Sequence, residues 1–398
     1  MRVKPYPQSH FQPKIKALDA TKFAPQLGKK LLFFSGGSAL RSFCQPLVPA
    51  THHSIHLVTP FDSGGSSAKI REQFSMPAMG DLRNRLLALS HNKTHEQDVI
   101  ARLLSYRLCS IASPQALREH LQSMADGQDP LVAVLSDTHR RIFCRKIALV
   151  LGCLPREFDL KGASIGNLLF IDTEYSRENS LQRGIDFFNQ MLDIRGVVRP
   201  IVNDSLHIAA YLQSGESIVG QHRLTAKETP ALRSAITKLY LCDNPNAPKA
   251  VDCFLQPENR RYIEQADLIC YPPGSFFTSI IANLLPVGVG EAISRNPQPK
   301  VYIPNLGNDP EQIGMSLEDC VLTLLSYMRK NTPQPLAASQ YISTILLDVN
   351  SKYYQGGIPF DRLRELGINV VQRDLVTMLS APFYNDDLLL KSLLEIAQ

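Results

Sequence analysis

Short apolar runs that stop at clusters of glycine and serine set the pattern of this chain. Leu31-Leu32-Phe33-Phe34 ends at Ser35-Gly36-Gly37-Ser38, which predicts a buried first strand entering a tight turn, with a helix beginning over Ala39 to Leu47. Ser54 to Thr59 predicts a second strand, stopping at Pro60 ahead of Asp62-Ser63-Gly64-Gly65-Ser66-Ser67. Strand, small-residue turn and helix in succession is the order of a parallel sheet covered by helices. From Gly80 to about Leu192 the period changes. Leu82, Leu86, Leu87 and Leu89, then Val99, Ile100, Leu103 and Leu104, then Ile147, Val150, Leu151 and Leu154 recur at helical spacing. This stretch is expected to be mainly helical, broken by a turn over Gly162 to Asn167.

β character returns after Arg195. Val197 to Val202 is one run, and His207 to Leu212 with Ser217 to Leu224 flank Ser214-Gly215 as a hairpin. Ala266 to Tyr271 predicts a strand that ends at Pro272-Pro273-Gly274-Ser275, with a helix over Phe277 to Leu285. Lys300 to Pro304 predicts a further strand. Ser316 with Asp319 is a capping-box start for a helix through about Arg329. Thr344 to Val349, Phe360 to Leu366 and Ile368 to Val371 form a βαβ unit. The expected fold class is α/β: one mostly parallel sheet containing the segments near 31–34, 55–59, 199–202, 268–271 and 300–304, with a mainly helical insertion. The expected division is an N-terminal extension over 1–30, an α/β core over 31–81 and 196–398, and a helical subdomain over 82–195.

Composition narrows the function classes. With 398 residues, 44% hydrophobic and 20% charged, the chain has the make-up of a globular protein large enough for two domains. A net charge of +5 favours an anionic ligand but is too small and too dispersed for nucleic acid. Eight cysteines show no CxxC and no paired spacing, so reduced, buried thiols are expected. No apolar run is long enough to cross a bilayer, and Met1 to Lys30 has no apolar leader segment, so a cytoplasmic protein without membrane contact is expected.

Four small-residue turns at run ends point to a phosphate-bearing ligand, because backbone N–H groups at strand-to-helix turns bind anions. Gly36, Gly37 and Ser38 would cradle phosphate at a helix start; a plain strand-to-helix turn reads equally well. Asp62, just past a strand end, is the best candidate for a Mg²⁺ contact and for a catalytic carboxylate. Capping of the next helix is the equal alternative. Ser63, Gly64, Gly65 and Ser66 would add donors. Asp81, Arg83 and Asn84 open a helix, where an arginine can clamp phosphate and an asparagine can read a base or sugar edge, or where an acid simply suits a helix N-terminus. Ser164, Gly166 and Asn167 form another polar turn. Gly274, Ser275, Thr278, Ser279 and Asn283 follow the late strand, and their N–H groups and hydroxyls suit a second phosphate or a transferred group; ordinary helix-start chemistry is the bland reading of Thr278 and Ser279. Gly288-Val289-Gly290 lacks a third glycine and reads as a packing turn. His52, His53 and His56 have no partners at metal-binding spacing.

The ordered set of turns, with Gly80-Asp81-Leu82-Arg83-Asn84 between the second and third, resembles the family that contains 2-phospho-L-lactate transferase (CofD) and the gluconeogenesis factor YvcK. The likeness runs from about Leu31 to about Val371. It implies a Rossmann-like core with a helical subdomain and a nucleoside diphosphate moiety bound at the strand ends. It also implies that the segment carrying Ser164, Gly166 and Asn167 faces the cleft. The transferase branch moves a phospholactyl group from a guanosine diphosphate-type donor to a deazaflavin hydroxyl with Mg²⁺; the other branch is a nucleotide-sugar binder and regulator. Asp62-Ser63-Gly64-Gly65-Ser66-Ser67 resembles the second branch's DDGGSS, Gly80 to Asn84 its GDIRN, and Pro273 to Ser279 its PGSLYTS. Ser63 replaces the second acid, Ala39 stands where a glycine is common, and Pro272 stands where a glycine usually precedes PGS. Two functions follow from the resemblance: a transferase using a nucleoside-diphosphate-linked donor, Mg²⁺ and an acceptor hydroxyl, or a regulator that binds a nucleotide-sugar without turnover. The lack of tryptophan and the few aromatic residues near the motifs count against a deazaflavin acceptor. A homodimer is left open.

Overall fold

The apolar runs become strands buried on both faces. The computed structural model describes residues 25–91, 94–171, 180–225, 230–330 and 336–398. The expected extension over 1–30 lies mostly outside the described residues. The strands in chain order are β1 (Leu31–Ser35), β2 (Ile55–Val58), β3 (Val197–Pro200), β4 (His207–Leu212), β5 (Ser217–Val219), β6 (Ile236–Cys242), β7 (Leu268–Tyr271), β8 (Lys300–Tyr302), β9 (Thr344–Asp348) and β10 (Asn369–Arg373). Seven form one sheet in the order β10-β9-β8-β7-β1-β2-β3, and every neighbouring pair runs parallel. A separate antiparallel sheet has the order β5-β4-β6. The fold is therefore α/β, and all five expected core strands lie in the parallel sheet.

Alternation along β1 divides the core. Leu31 and Phe33 face the helices of residues 80–191, packing in one cluster with Leu82, Leu86, Ile100, Leu104, Phe143 and Phe188. Leu32 and Phe34 face the other way, with Ile208 of β4, Leu239 of β6 and Leu324 of the Leu317–Arg329 helix. Both faces of the parallel sheet are covered, as a central strand with no polar alternation requires. The region 80–191 is built from helices Gly80–Ala88, His95–Ser105, Pro114–Ala125, Asp137–Cys153 and Ser180–Met191 with shorter turns between them. Ser316 and Asp319 form the predicted reciprocal cap.

Three local expectations change. The helix after the first glycine turn starts at Cys44, not Ala39. Residues 38–41 close a turn (Arg41 N–H to Ser38 C=O, 3.1 Å), and Pro46 fixes the first turn of the short helix that follows. Gly36 to Ser38 therefore do not sit at a helix start. The second arm of the hairpin stops at Val219, because Gly220 at φ +103° turns the chain into the Gln221–Leu224 helix. The residues after Ser275 form a π-helical stretch, Phe276–Ile281, before Ala282–Leu284. Gly290 packs against Met328 as expected, but within the Val289–Arg295 helix and not in a turn; Gly288 is the N-cap of that helix.

Candidate functional site

The chain leaves β1 toward β2 on one side and later re-enters the sheet as β7 on the other side of β1. The loops after β1 and β7 therefore diverge and open a crevice at the strand C-terminal ends, where open α/β sheets hold ligands. The predicted turns meet there. A Cβ on Gly37 would lie 2.8 Å from Asp81 Cα, and one on Gly36 would lie 2.5 Å from Ser279 Oγ. Asp62 Oδ2 and Ser67 Oγ come within 2.8 and 2.7 Å of the corresponding point on Gly80. The first, second and fourth turns are thus gathered around the start of the Gly80–Ala88 helix.

Arg83 brings in the third turn. Its Nη1 donates to Asn167 Oδ1 at 2.9 Å and to Ser164 Oγ, and its Nη2 donates to Asn84 Oδ1 at 2.7 Å. Asn167 Nδ2 in turn donates to Ser66 Oγ (3.0 Å) and Ser67 Oγ (3.2 Å), and Ser164 N–H donates to Ser66 Oγ (3.3 Å). Gly166 lies flat against the Arg83 stem. Ser164, Gly166, Asn167, Ser66 and Arg83 are all buried, so this network stands behind the crevice. Burial first, and then the Arg107 charge, lower the Arg83 pKa, while Asp81 and Asp62 raise it, and the balance is about 10. The guanidinium therefore adds positive charge beside two carboxylates.

The crevice surface is formed by residues that remain partly open: Asp62, Ser63, Gly64, Gly65, Asp81, Asn84, Gly274, Ser275 and the exposed Ser38. Asp62 Oδ1 accepts the Gly64 N–H at 3.0 Å, and Arg71, buried, donates to the Asp62 carbonyl at 2.9 Å. Ser63 Oγ lies 2.7 Å from His222 Nδ1. The Gly65–Phe74 helix that follows has Gly64 as its N-cap and no capping side chain. Asn283 is fully buried and donates to the carbonyls of Ser35 (3.1 Å) and Ser279 (2.8 Å), tying β1 to the fourth turn.

The fourth turn carries its own acid side chains as acceptors. Glu311 Oε2 accepts the N–H groups of Phe277 (2.7 Å) and Thr278 (2.8 Å), Glu311 Oε1 accepts the Thr278 hydroxyl (2.5 Å), and Asp309 accepts the Phe276 N–H (2.8 Å). Thr278 thus points inward, and the N–H groups expected to meet a phosphate there are occupied by oxygens of Asp309 and Glu311. Burial and the neighbouring Asp309 raise the Glu311 pKa to about 8.

The family model described as 2-phospho-L-lactate transferase CofD matches residues 31–376. The chain belongs to this family. Among named relatives, the Bacillus subtilis gluconeogenesis factor is 27% identical over 361 residues, 87% of this chain and 91% of that protein. The Listeria monocytogenes gluconeogenesis factor is 28% identical over 278 residues, 70% of this chain and 66% of that protein. The crystal structure of a UPF0052 family member from Bacillus halodurans superposes with a TM-score of 0.64 at 22% identity, covering 93% of this chain and 99% of that one, a likeness of fold.

Beside the turns, this CofD-family chain has a cavity of about 440 Å³ at the divergence of the β1 and β7 loops. Ala39, Phe43, Gly274 and Asn305 line it from the sheet side, and Phe383 and Tyr384 from the C-terminal segment. The sequence shows few aromatic residues near the motifs; the folded chain adds Phe383 and Tyr384 to Phe43, which follows the first turn. Two of these lie beyond residue 376, where the family match ends.

A Mg²⁺ in this crevice would have to rest on Asp62. Among the described residues no group of three or more His, Cys, Asp or Glu is arranged to hold a metal ion. Asp62 offers one partly open carboxylate, and the uncapped helix N-terminus beside it suits an anion, so a metal here would be held mainly by water and ligand phosphate. His56 is stacked on Phe33 inside the core, 5.2 Å between centroids. None of the eight cysteines is in a disulfide, and only Cys109 is exposed. No described helix is long and apolar enough to cross a membrane. Sequence reasoning did not find Glu311, Asp309, Asn305 or His222. The first three follow β8, a strand end where a ligand site recruits loops, but nothing local marks His222.

Proposed function

We propose that the chain binds a nucleoside-diphosphate-linked small molecule across the ends of β1, β2 and β7 and transfers a phosphoryl-linked group from it to an acceptor hydroxyl. The observation that supports this reading is that four distant turns come together: the first lies against Asp81, the second against Gly80, the fourth against the first through Ser279 and Gly36, and the third is tied in through Arg83. The uncapped N-terminus of the Gly65–Phe74 helix and the hydroxyls of Ser38, Ser63 and Ser275 suit phosphate oxygens. Arg83 supplies fixed positive charge from behind, a contribution that needs no reorganisation during reaction. Asp62 would hold a Mg²⁺ together with the phosphates; when bound, the ion offsets diphosphate charge. The adjoining cavity, mostly apolar with a few amide and carboxylate groups, has the size of a small-molecule site and would take the non-phosphate part of the donor or acceptor.

Relatives named gluconeogenesis factors favour a second reading, in which the same cleft binds a nucleotide-sugar and the bound state itself is the signal. Mass spectrometry of small molecules released from the purified protein, followed by calorimetric titration of the nucleotide found, tests both. A nucleoside-diphosphate-linked compound that stays intact on incubation with Mg²⁺ selects the second reading. Failure of any nucleoside diphosphate to bind removes both.

A further inference from the structure

Ser63 and His222 are 159 positions apart, yet they meet at the crevice. Ser63 Oγ accepts the backbone N–H of His222 at 3.3 Å and lies 2.7 Å from its Nδ1. The backbone N–H can only donate to Oγ; toward the ring, Nδ1 accepts from Oγ–H in the tautomer that carries the ring proton on Nε2. The chain is shaped to allow this. Gly220 sits at φ +103°, and a Cβ there would lie 2.9 Å from His222 Cε1 and 3.2 Å from Ser63 Oγ. Gly65, two residues on, faces open space: a Cβ there would meet nothing within 4 Å. The uncapped first turn of the Gly65–Phe74 helix begins two residues after Ser63.

We propose that Ser63 is an activated nucleophile and His222 its base, so that group transfer in this chain passes through a covalent seryl intermediate. A serine in hydrogen-bond contact with an imidazole, next to orphan N–H groups that can receive negative charge, is the constellation such chemistry uses. Ser63 Oγ attacks the electrophilic phosphorus while its proton passes to His222 Nδ1. The Oγ–P bond forms as the P–O bond to the nucleotide breaks, and the departing oxygen takes the proton back. An acceptor hydroxyl, or water, then gives its proton to Nδ1 and attacks the phosphorus; the Oγ–P bond breaks, and Ser63 Oγ takes that proton from Nδ1, which restores the pair. The inference rests on the crevice being the ligand site, but the pair can be tested without a nucleotide.

The experiment is labelling of the full-length protein with a fluorophosphonate, which forms an Oγ–P bond and expels fluoride, followed by peptide mass spectrometry. The expected result is one adduct, on Ser63, absent from Ser63→Ala. His222→Gln, with its thermal unfolding unchanged, should label about 100-fold more slowly, the lower end of what a general base provides. Wild-type protein that forms no adduct, or an adduct elsewhere, overturns the proposal, whether or not the variants fold. Equal labelling of a folded His222→Gln overturns the role of the histidine. Nucleoside diphosphate binding without labelling leaves the proposed function standing and removes the nucleophile. Labelling without nucleotide binding does the reverse.

Discussion

Gly37 touches Asp81 through its backbone: a methyl group on Gly37 would sit 2.7 Å from Asp81 Cγ and 2.8 Å from Asp81 Cα. Two turns 44 positions apart are therefore in contact only because one of them has no side chain. Gly37→Ala must push the start of the Gly80–Ala88 helix away from β1. Overpacking of this kind costs about 1–3 kcal/mol. The variant should unfold at lower temperature and bind nucleoside diphosphate more weakly. A variant with wild-type thermal unfolding would show that the two turns do not meet as described.

Arg83→Ala should show two separate losses. The guanidinium's bonds to Asn84, Ser164 and Asn167 are charge-assisted, and leaving such buried partners unmatched costs about 1.5–3 kcal/mol of stability by denaturant titration. Its charge also lies beside Asp62 and Asp81, so affinity for a nucleoside diphosphate should fall more than affinity for the nucleoside. Arg83→Lys should recover part of the second loss and little of the first, because an ammonium cannot reproduce the planar fork. Equal falls for both ligands would make Arg83 a strut alone.

The contrast between turns and their partners explains what the sequence reveals. The parallel sheet was legible because Leu31 to Phe34 and Leu268 to Tyr271 are continuous apolar runs that only a doubly covered strand can bury. The hairpin at Ser214-Gly215 and the cap at Ser316 are set by neighbours a few residues apart. The helix starts late, at Cys44, because Gly36 and Gly37 lie against Ser279 and Asp81, which no local rule encodes, and residues 38–41 then close a turn. The strand Ile236–Cys242 went unread because its burial depends on pairing with β4 across an intervening loop. In the site, glycines and serines announce themselves by clustering. Glu311 and His222 are single residues whose roles exist only once β8 and the β5 hairpin have folded over the crevice.

Glu311 should make stability pH-dependent. Burial and Asp309 raise its pKa from the usual 4.5 to about 8, so the folded chain keeps a proton that the unfolded chain loses across that interval. Fewer protons on the unfolded state means that stability falls as pH rises from about 4.5 to about 8. Glu311→Gln fixes the neutral form and can still accept the Phe277 and Thr278 N–H groups. Urea unfolding at about pH 5.5 and about pH 8 should show a smaller loss for the variant than for wild type. Parallel losses would place the titrating group elsewhere.

Asp62→Asn separates the metal role of this residue from its structural one. Asp62 Oδ1 accepts the Gly64 N–H at 3.0 Å, and an asparagine oxygen can keep that bond, so the turn and the helix after it should survive unchanged. What the variant loses is negative charge on a carboxylate that is partly open to the crevice. If Asp62 and ligand phosphates together hold Mg²⁺, wild-type affinity for a nucleoside diphosphate should rise at least tenfold on adding the ion, about 1.4 kcal/mol, and the variant should show almost none of this rise. Calorimetry with Mg²⁺ and with a chelator, on both proteins, reads the difference directly. The same variant should bind at least as well as wild type without metal, because removing a carboxylate beside a diphosphate relieves like-charge repulsion. A variant that keeps the full Mg²⁺ effect would assign the ion to other groups, and one that loses metal-free affinity as well would show that Asp62 acts through the shape of its turn.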